Sequence, residues 1–319
     1  MNRTAPDPIY TLRGSGSAIS CLKFCDTGTL YSGTYDGMVH VWSIETKRII
    51  SKVSAHPGHS ILYLDFIDDS NMITHGRDGM VKLWTKAETD WILNGNICIR
   101  QLPLPDQSSA VILVSVEAVY LADRTLAVPG INQSEVDIYD LDTLKVFAHL
   151  KPESSKEKFG MCMKIKRCDH NDNQNLLTGY EDGSVALWDL RQNKMAEKLK
   201  VHPDALMCMD FSNVLNKGYS GSVDEDLHSW TISEDKINAS LSVKTTNPGF
   251  NDALVRKDGK IVVFAGWDGN IRIFGAKKLK PLAVLNYHKE SVHCLAFAED
   301  NILACGSKDE LITLWDIYR

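Results

Sequence analysis

One short pattern recurs seven times along this 319-residue chain, and it restricts the fold more than any other feature. The pattern is an acid, often a glycine after it, then alternating apolar residues that end in an aromatic. Residues 30–44 read LYSGTYDGMVHVWSI, 72–86 read MITHGRDGMVKLWTK and 176–190 read LLTGYEDGSVALWDL. Residues 218–232, 262–276 and 303–317 follow suit, and 127–141 (AVPGINQSEVDIYDL) is a weaker copy. The aromatic falls at Trp42, Trp84, Tyr139, Trp188, Trp230, Phe274 and Trp315, at spacings of roughly 40 to 55 residues. Six residues earlier stand Asp36, Asp78, Asp182, Asp224, Asp268 and Asp309; only the third copy departs, with Gln133. A unit this short cannot bury its own apolar face, so consecutive units must stack.

Each copy reads as a β-run, a tight Asp-Gly turn and a second run with period-2 alternation. Glycine supplies the positive φ that such a turn needs. Period and signature together resemble the WD-repeat family, whose unit is a four-stranded blade. The expected fold is therefore all-β, a seven-bladed propeller. The resemblance implies a structural network in each blade: a His before the inner strand, bonded through a Ser or Thr to the Trp, with the Asp fixing the turn. Candidates are His56 or His59 with Thr74, Asp78 and Trp84, and His202 with Ser220, Asp224 and Trp230. His288, Asp309 and Trp315 form a third set, with Cys305 where the hydroxyl should stand. His, Ser and Asp together also suggest a hydrolase, but the set recurs and no GxSxG elbow is present. No catalytic residue, metal ligand set or cofactor site is expected, and the chain is not read as an enzyme.

The last copy ends at Trp315 and lacks an outer strand. The run Ile9-Tyr10-Thr11-Leu12-Arg13-Gly14 supplies one, so a strand at about 8–14 should complete the seventh blade and cover an open edge. On this count residues 1–319 form a single propeller. Extra length in 85–125 and 142–175, including PLPDQSS and HNDNQN, reads as surface loop.

Charge and cysteines narrow the function. With net charge −6, the surface has no general attraction for phosphate backbones or anionic lipid. Neither nucleic acid nor membrane is an expected partner. The Lys-rich stretches 151–167 and 277–280 read as solvated loops and outer strands. The greasy run Ala110 to Ala122 is too short to span a bilayer and reads as buried β-structure. Eight Cys without CxxC pairs, and no signal peptide, point to a reducing compartment, cytoplasmic or nuclear.

A finer resemblance is carried by HGRDG (75–79), LAVPG (126–130), GYEDGSVALWD (179–189), TNPG (246–249), AGWDGNIRIF (265–274), PLAVL (281–285) and GSKDELITLW (306–315). These strings resemble a G-protein-β-like group of WD-repeat proteins. The resemblance implies a scaffold in the maturation of phosphatidylinositol-kinase-like protein kinases, acting with the TELO2-TTI1-TTI2 co-chaperone complex and so supporting DNA-damage signalling. No heptad precedes Ile9 to pair with a G-protein γ subunit, so no γ partner is expected, and the ring is read as monomeric on its own. Residues just before the turn acids should share one face: Tyr35, Arg77, Glu181, Val223, Trp267 and Lys308. Trp267, Arg77 and Tyr35 are the expected protein contacts, with Phe250 after the TNPG turn. Trp188-Asp189-Leu190-Arg191 fits a WDxR box. That gives an alternative: a substrate receptor of a cullin-RING ubiquitin ligase, contacting its adaptor through Arg191 on the opposite face.

Overall fold

Strand residues with short turns between them fill nearly the whole chain. The computed structural model describes residues 7–88, 90–99, 119–121, 124–130, 132–152, 159–170 and 173–317. The described residues form 28 strands and no helix. A short strand, β1 (Tyr10–Leu12), comes first. Blade one is β2 (Ile19–Phe24), β3 (Thr29–Thr34), β4 (Met38–Ser43) and β5 (Arg48–Ser54). Blade two is β6 (Ile61–Asp68), β7 (Asn71–Gly76), β8 (Met80–Ala87) and β9 (Asp90–Cys98). Blade three is β10 (Val119–Tyr120), β11 (Thr125–Pro129), β12 (Val136–Asp140) and β13 (Lys145–Leu150). Blade four is β14 (Cys162–His170), β15 (Asn173–Tyr180), β16 (Ser184–Asp189) and β17 (Lys194–Lys200). Blade five is β18 (Leu206–Ser212), β19 (Lys217–Ser222), β20 (Asp226–Ser233) and β21 (Lys236–Lys244). Blade six is β22 (Phe250–Val255), β23 (Ile261–Gly266), β24 (Asn270–Gly275) and β25 (Lys280–Asn286). Blade seven is β26 (Val292–Phe297), β27 (Ile302–Ser307) and β28 (Ile312–Asp316), with β1 as its outer strand.

Burial follows from stacking. The second strands, such as β3 and β23, are buried on both faces because each blade packs against two neighbours. The outer strands alternate; β5 exposes every second residue over Arg48, Ile50 and Lys52. The apolar cores lie between blades. Leu12, Ile19, Leu22, Trp42, Ile312 and Leu314 form one that joins the last blade to the first. In blades one to six a register shift falls just before the repeat aromatic, as between Val41 and Trp42 or Leu187 and Trp188. The bulge re-aims the ring between the sheets.

The ring closes through β1, whose Tyr10, Thr11 and Leu12 pair with Leu314, Thr313 and Ile312. The Ile9 amide adds a bond of 2.8 Å to the Leu314 carbonyl. The Asp-Gly turns need their glycine for a second reason. Gly37 sits at φ 88°, and a Cβ there would lie 1.7 Å from the His56 carbonyl oxygen. Each turn packs directly on the loop entering the next blade.

Two expectations about the connections change. Much of 85–125 and 142–175 is strand: β9 and β13 are outer strands, and β14 runs to His170, paired with Asn173. Of the HNDNQN stretch, His170 ends β14 and Asn173 to Asn175 begin β15, while residues 171–172 lie outside the described residues. PLPDQSS and residues 110–118 of the apolar run lie outside the described residues. Val119 and Leu121, at the end of that run, are buried. The Lys-rich stretch also changes. Lys164 is buried, and Lys166 and Arg167 line the central cavity of about 500 Å³, beside Lys23, Asp65 and Asp252. Inner strands turn alternate side chains to the channel, where water or an opposite charge can solvate them, so lysine is tolerated there. Lys23 pairs with Asp65 at 2.7 Å. Asp210 and Asp252 reach across to backbone amides of Val255 and Leu295, tying neighbouring blades.

Candidate protein-interaction face

The recurrent His, Asp and Trp residues meet, but differently in different blades. In blade two the donors form an unbroken line. Trp84 Nε1–H donates to Thr74 Oγ1 at 2.9 Å. Thr74 lies 2.9 Å from His56 Nε2, and His56 Nδ1 lies 2.9 Å from an Asp78 oxygen. Burial alone would raise the Asp78 carboxyl; the hydrogen bond and charge of His56 outweigh it and hold the group below its ordinary value. His59 stands outside the line, its Nδ1 against the Pro57 carbonyl.

Blade seven repeats the line with one substitution of place. His288 Nδ1 meets Asp309 at 3.0 Å, and Nε2 meets Thr313 at 2.8 Å. Trp315 Nε1–H donates to the same Thr313 at 2.8 Å. Cys305, expected to leave a gap, lies directly across from Thr313 in the sheet, so the hydroxyl comes from the neighbouring strand. In blade five the line breaks. His202 Nε2 is 2.9 Å from Ser220, but His202 Nδ1 and Trp230 Nε1 have no partner. Asp224 accepts the Asp226 amide instead. Burial pushes His202 down to about 3, with the His228 ring adding to it.

In blades one and four the Trp still donates, Trp42 to Ser32 and Trp188 to Thr178, each at 2.8 Å. Asp36 accepts from Thr34, and Asp182 from the Ser184 amide. In blade six Arg272 takes the place of the His and grips Asp268 at 2.6 and 3.0 Å. The hydroxyls of these sets are buried: Thr74, Ser220 and Thr313 have no solvent-accessible surface. A nucleophile must reach its substrate, so this geometry is structural. Among the described residues no cluster of His, Cys, Asp or Glu could hold a metal ion. None of the eight cysteines is joined in a disulfide.

The turns these networks hold present one rim of side chains. Trp267 is 41% exposed and Tyr35 45%. Arg77, Glu181 and Lys308 are exposed as well. The Trp267 indole is fixed: Nε1–H donates to Asn251 Oδ1 at 2.7 Å, and the ring lies against Gly249, where a Cβ would come within 2.2 Å. Tyr35 packs on His293, ring centres 5.2 Å apart. Burial, and then the Cys294 thiol, push the Tyr35 phenol up, while the charge of nearby Arg77 pulls it down. Phe250 does not belong to this rim. It has no exposed surface and packs edge-on against Phe264, because as the first residue of β22 it turns into the core between blades.

Comparison with known proteins agrees with this geometry. The model of the family described as WD domain, G-beta repeat, matches residues 6–43, 48–85, 161–189 and 279–316. The chain is 35% identical to mouse (Mus musculus) guanine nucleotide-binding protein subunit beta-like protein 1, over 98% of this chain and 97% of that protein. The chain belongs to the WD-repeat family. This WD-repeat propeller is also 31% identical to ASTRA-associated protein 1 of Schizosaccharomyces japonicus, over 98% of its own length and 99% of the relative's. The Schizosaccharomyces pombe protein of the same name is 26% identical over similar spans.

At the other end of the propeller, Arg191 follows β16 and is exposed, 3.7 Å from Asp189. No helix among the described residues is long and apolar enough to cross a membrane. Sequence reasoning missed Thr34, Asn251, Arg272, Ser291, His293 and Thr313. Arg272 and Thr313 share one register position, four residues after the turn acid, and that spacing could have found both. Asn251, Ser291 and His293 carry no pattern of their own.

Proposed function

We propose that this propeller is a non-catalytic adaptor in the maturation of phosphatidylinositol-kinase-like protein kinases. It works with the TELO2-TTI1-TTI2 co-chaperone complex, in cytoplasm or nucleus, and so supports DNA-damage signalling. The reading rests on near-full-length similarity to proteins named for association with ASTRA. The geometry is consistent with it: a rigid ring whose Ser/Thr–His–Asp sets are internal, and whose exposed rim offers Trp267, Tyr35, Arg77, Lys308 and Glu181 for protein contact. Net charge −6 gives neither nucleic acid nor anionic membrane a general hold, and the adaptor is proposed to be monomeric without partners and to need no G-protein γ subunit.

The test is affinity purification of the tagged chain from cells with quantitative mass spectrometry, paired with depletion. Enrichment of the co-chaperone subunits and a fall in the large kinases' steady-state levels are expected. Kinase levels unchanged on depletion, with no co-chaperone recovered, would sink the reading. Recovery of a cullin-RING adaptor, lost in Arg191→Ala, would move the function to the WDxR box.

A further inference from the structure

The loop that enters blade five hangs in the same way as its counterpart in blade two, but its histidine is seated differently. The Ala55 and His56 amides donate to the Gly37 carbonyl at 3.0 and 2.9 Å. The Val201 and His202 amides donate to the Gly183 carbonyl at 3.1 and 3.0 Å. Both histidines are buried, and each reaches a hydroxyl through Nε2, His56 to Thr74 and His202 to Ser220. In blade two the other ring nitrogen meets Asp78, and Lys82 Nζ donates to the Ala55 carbonyl at 2.6 Å. In blade five Asp224 bonds the Asp226 amide and does not reach the ring, whose Nδ1 is left without a partner. His228 stands at the register position of Lys82, four residues after the turn acid. Its ring packs edge-on against His202, centres 4.5 Å apart.

The two seats therefore answer a proton differently. A proton on His56 faces the Asp78 carboxylate, and the ring can stay in place. A proton on His202 is buried beside a second imidazole with no carboxylate in contact, so burial and then His228 hold the seated ring at about 3. The charges packed around the seat leave that imbalance in place. The loop rests on the blade-four turn, where Asp182 is paired with Lys198 and Glu181 accepts the Met161 amide. Lys200, at the end of β17, is exposed. Glu225 is paired with Lys244. Blade six meets the Asp224 carbonyl through the Gly249 amide, and its own turn acid is held by Arg272. Outside the seat the sign favours a cation. Asp204 is exposed on the loop itself, and burial, then Asp226 and Asp204, push the Asp224 carboxyl up. Three carboxyls thus crowd the ground just outside.

We propose that His202 is the latch of a pH-sensitive loop. Neutral, it sits on Ser220 and holds residues 201–205 against blade four; protonated, it leaves the pocket for solvent and the carboxylates of Asp204 and Asp224, and the loop lets go. The sign follows from linkage. Below the ordinary histidine value of 6.5 the released ring binds a proton that the seated ring refuses, so release grows as pH falls. Between pH 7 and pH 5 the released fraction should rise about 25-fold. The blade-two loop, with Asp78 to hold a charged His56, has no such response. The device belongs to the chain alone and does not rest on the adaptor reading.

The experiment is amide hydrogen exchange of the purified full chain at pH 7 and pH 5, each rate divided by the intrinsic rate at that pH. The peptide carrying the Val201 and His202 amides should lose protection by about 25-fold, and the peptide carrying Ala55 and His56 should change far less. His202→Gln, which cannot titrate, should abolish the difference. Equal responses of the two loops, or an acid response that persists in His202→Gln, would overturn the proposal. If that variant does not fold, the comparison of the two loops within the wild-type chain decides the matter by itself.

Discussion

Blades two and five each carry a His, a hydroxyl residue, an Asp and a Trp at the same spacing, with Thr74 in one and Ser220 in the other, and only blade two completes its network. In blade two, Trp84, Thr74, His56 and Asp78 form one line of hydrogen bonds. In blade five, His202 reaches Ser220 and stops, leaving its Nδ1 and the Trp230 indole N–H buried without partners. Blade seven goes the other way. It lacks the expected hydroxyl at Cys305 and takes one from Thr313 across the sheet. A buried polar network is therefore set by where donors and acceptors point after packing, and residue identity is only a precondition. In blade five the Trp230 ring stacks on Phe211 and lies against Gly218, a fit that leaves its N–H away from Ser220.

The largest test concerns blade seven, whose network rests on β28. That strand is held on its outer side only by the three residues of β1. Deleting residues 1–13 would bare the β28 edge and open the core that Leu12 shares with Ile312 and Leu314. The expected result is insoluble or aggregated protein. A monomeric, cooperatively melting deletion would show that blade seven holds its network without the closing strand.

Next comes a direct comparison of hydroxyls. Thr74→Ala leaves both His56 Nε2 and Trp84 Nε1 buried and unpaired, and should cost about 2–3 kcal/mol. Ser220→Ala strands only His202 Nε2, since Trp230 already lacks a partner, and should cost about 1 kcal/mol. Urea denaturation of both variants measures the difference. Equal losses would mean that the broken line in blade five is not real in solution.

Acid separates the blades as well. His202 titrates at about 3 in the folded chain, against an ordinary value of 6.5. Between those values the unfolded chain binds a proton that the folded one refuses, so stability falls as pH drops below about 6.5. From pH 7 to pH 5 the loss from this group is about 2 kcal/mol. His202→Gln should flatten that part of the stability curve. The Asp78 and Asp309 carboxyls, held below their ordinary value, contribute stability that survives this window and is lost only at lower pH, as they take up protons in the folded state. A wild-type stability unchanged between pH 7 and 5 would count against a neutral His202 whose Nδ1 has no partner.

The architecture was readable because its signal is repeated. Six acids and seven aromatics in one register specify blade number, turn positions and the Trp set with little help from any single residue. The closing strand was legible for a related reason: blade seven ran short and Ile9-Tyr10-Thr11-Leu12 alternates. What failed were readings that needed orientation. Phe250 follows a turn and so read as exposed, but it begins an inner strand and its ring points into the core. Lys164, Lys166 and Arg167 read as a solvated stretch, whereas they belong to the strand that lines the channel. The contact of Asn251 with Ser291 joins residues forty apart, and that of His293 with Tyr35 crosses the ring seam; no local pattern records either.

The smallest expected effect comes from a blade whose turn acid has no His partner. Asp182 in blade four accepts the Ser184 amide at 2.9 Å and faces Lys198 at 3.3 Å, the two side chains 21% and 22% exposed. Asp182→Ala frees one turn amide and a solvent-screened ion pair, so the cost should be about 1 kcal/mol. Asp78→Ala removes the same kind of turn bond but also leaves His56 Nδ1 buried without an acceptor, and should cost at least twice as much. The ratio of the two is the informative quantity, read from paired melting curves. If Asp182→Ala proves as damaging as Asp78→Ala, the turn alone holds each blade and the His adds nothing. If it proves clearly milder, the repeat acid serves mainly as the terminus of the buried line, and blades whose turn acid has no His partner stand on packing instead.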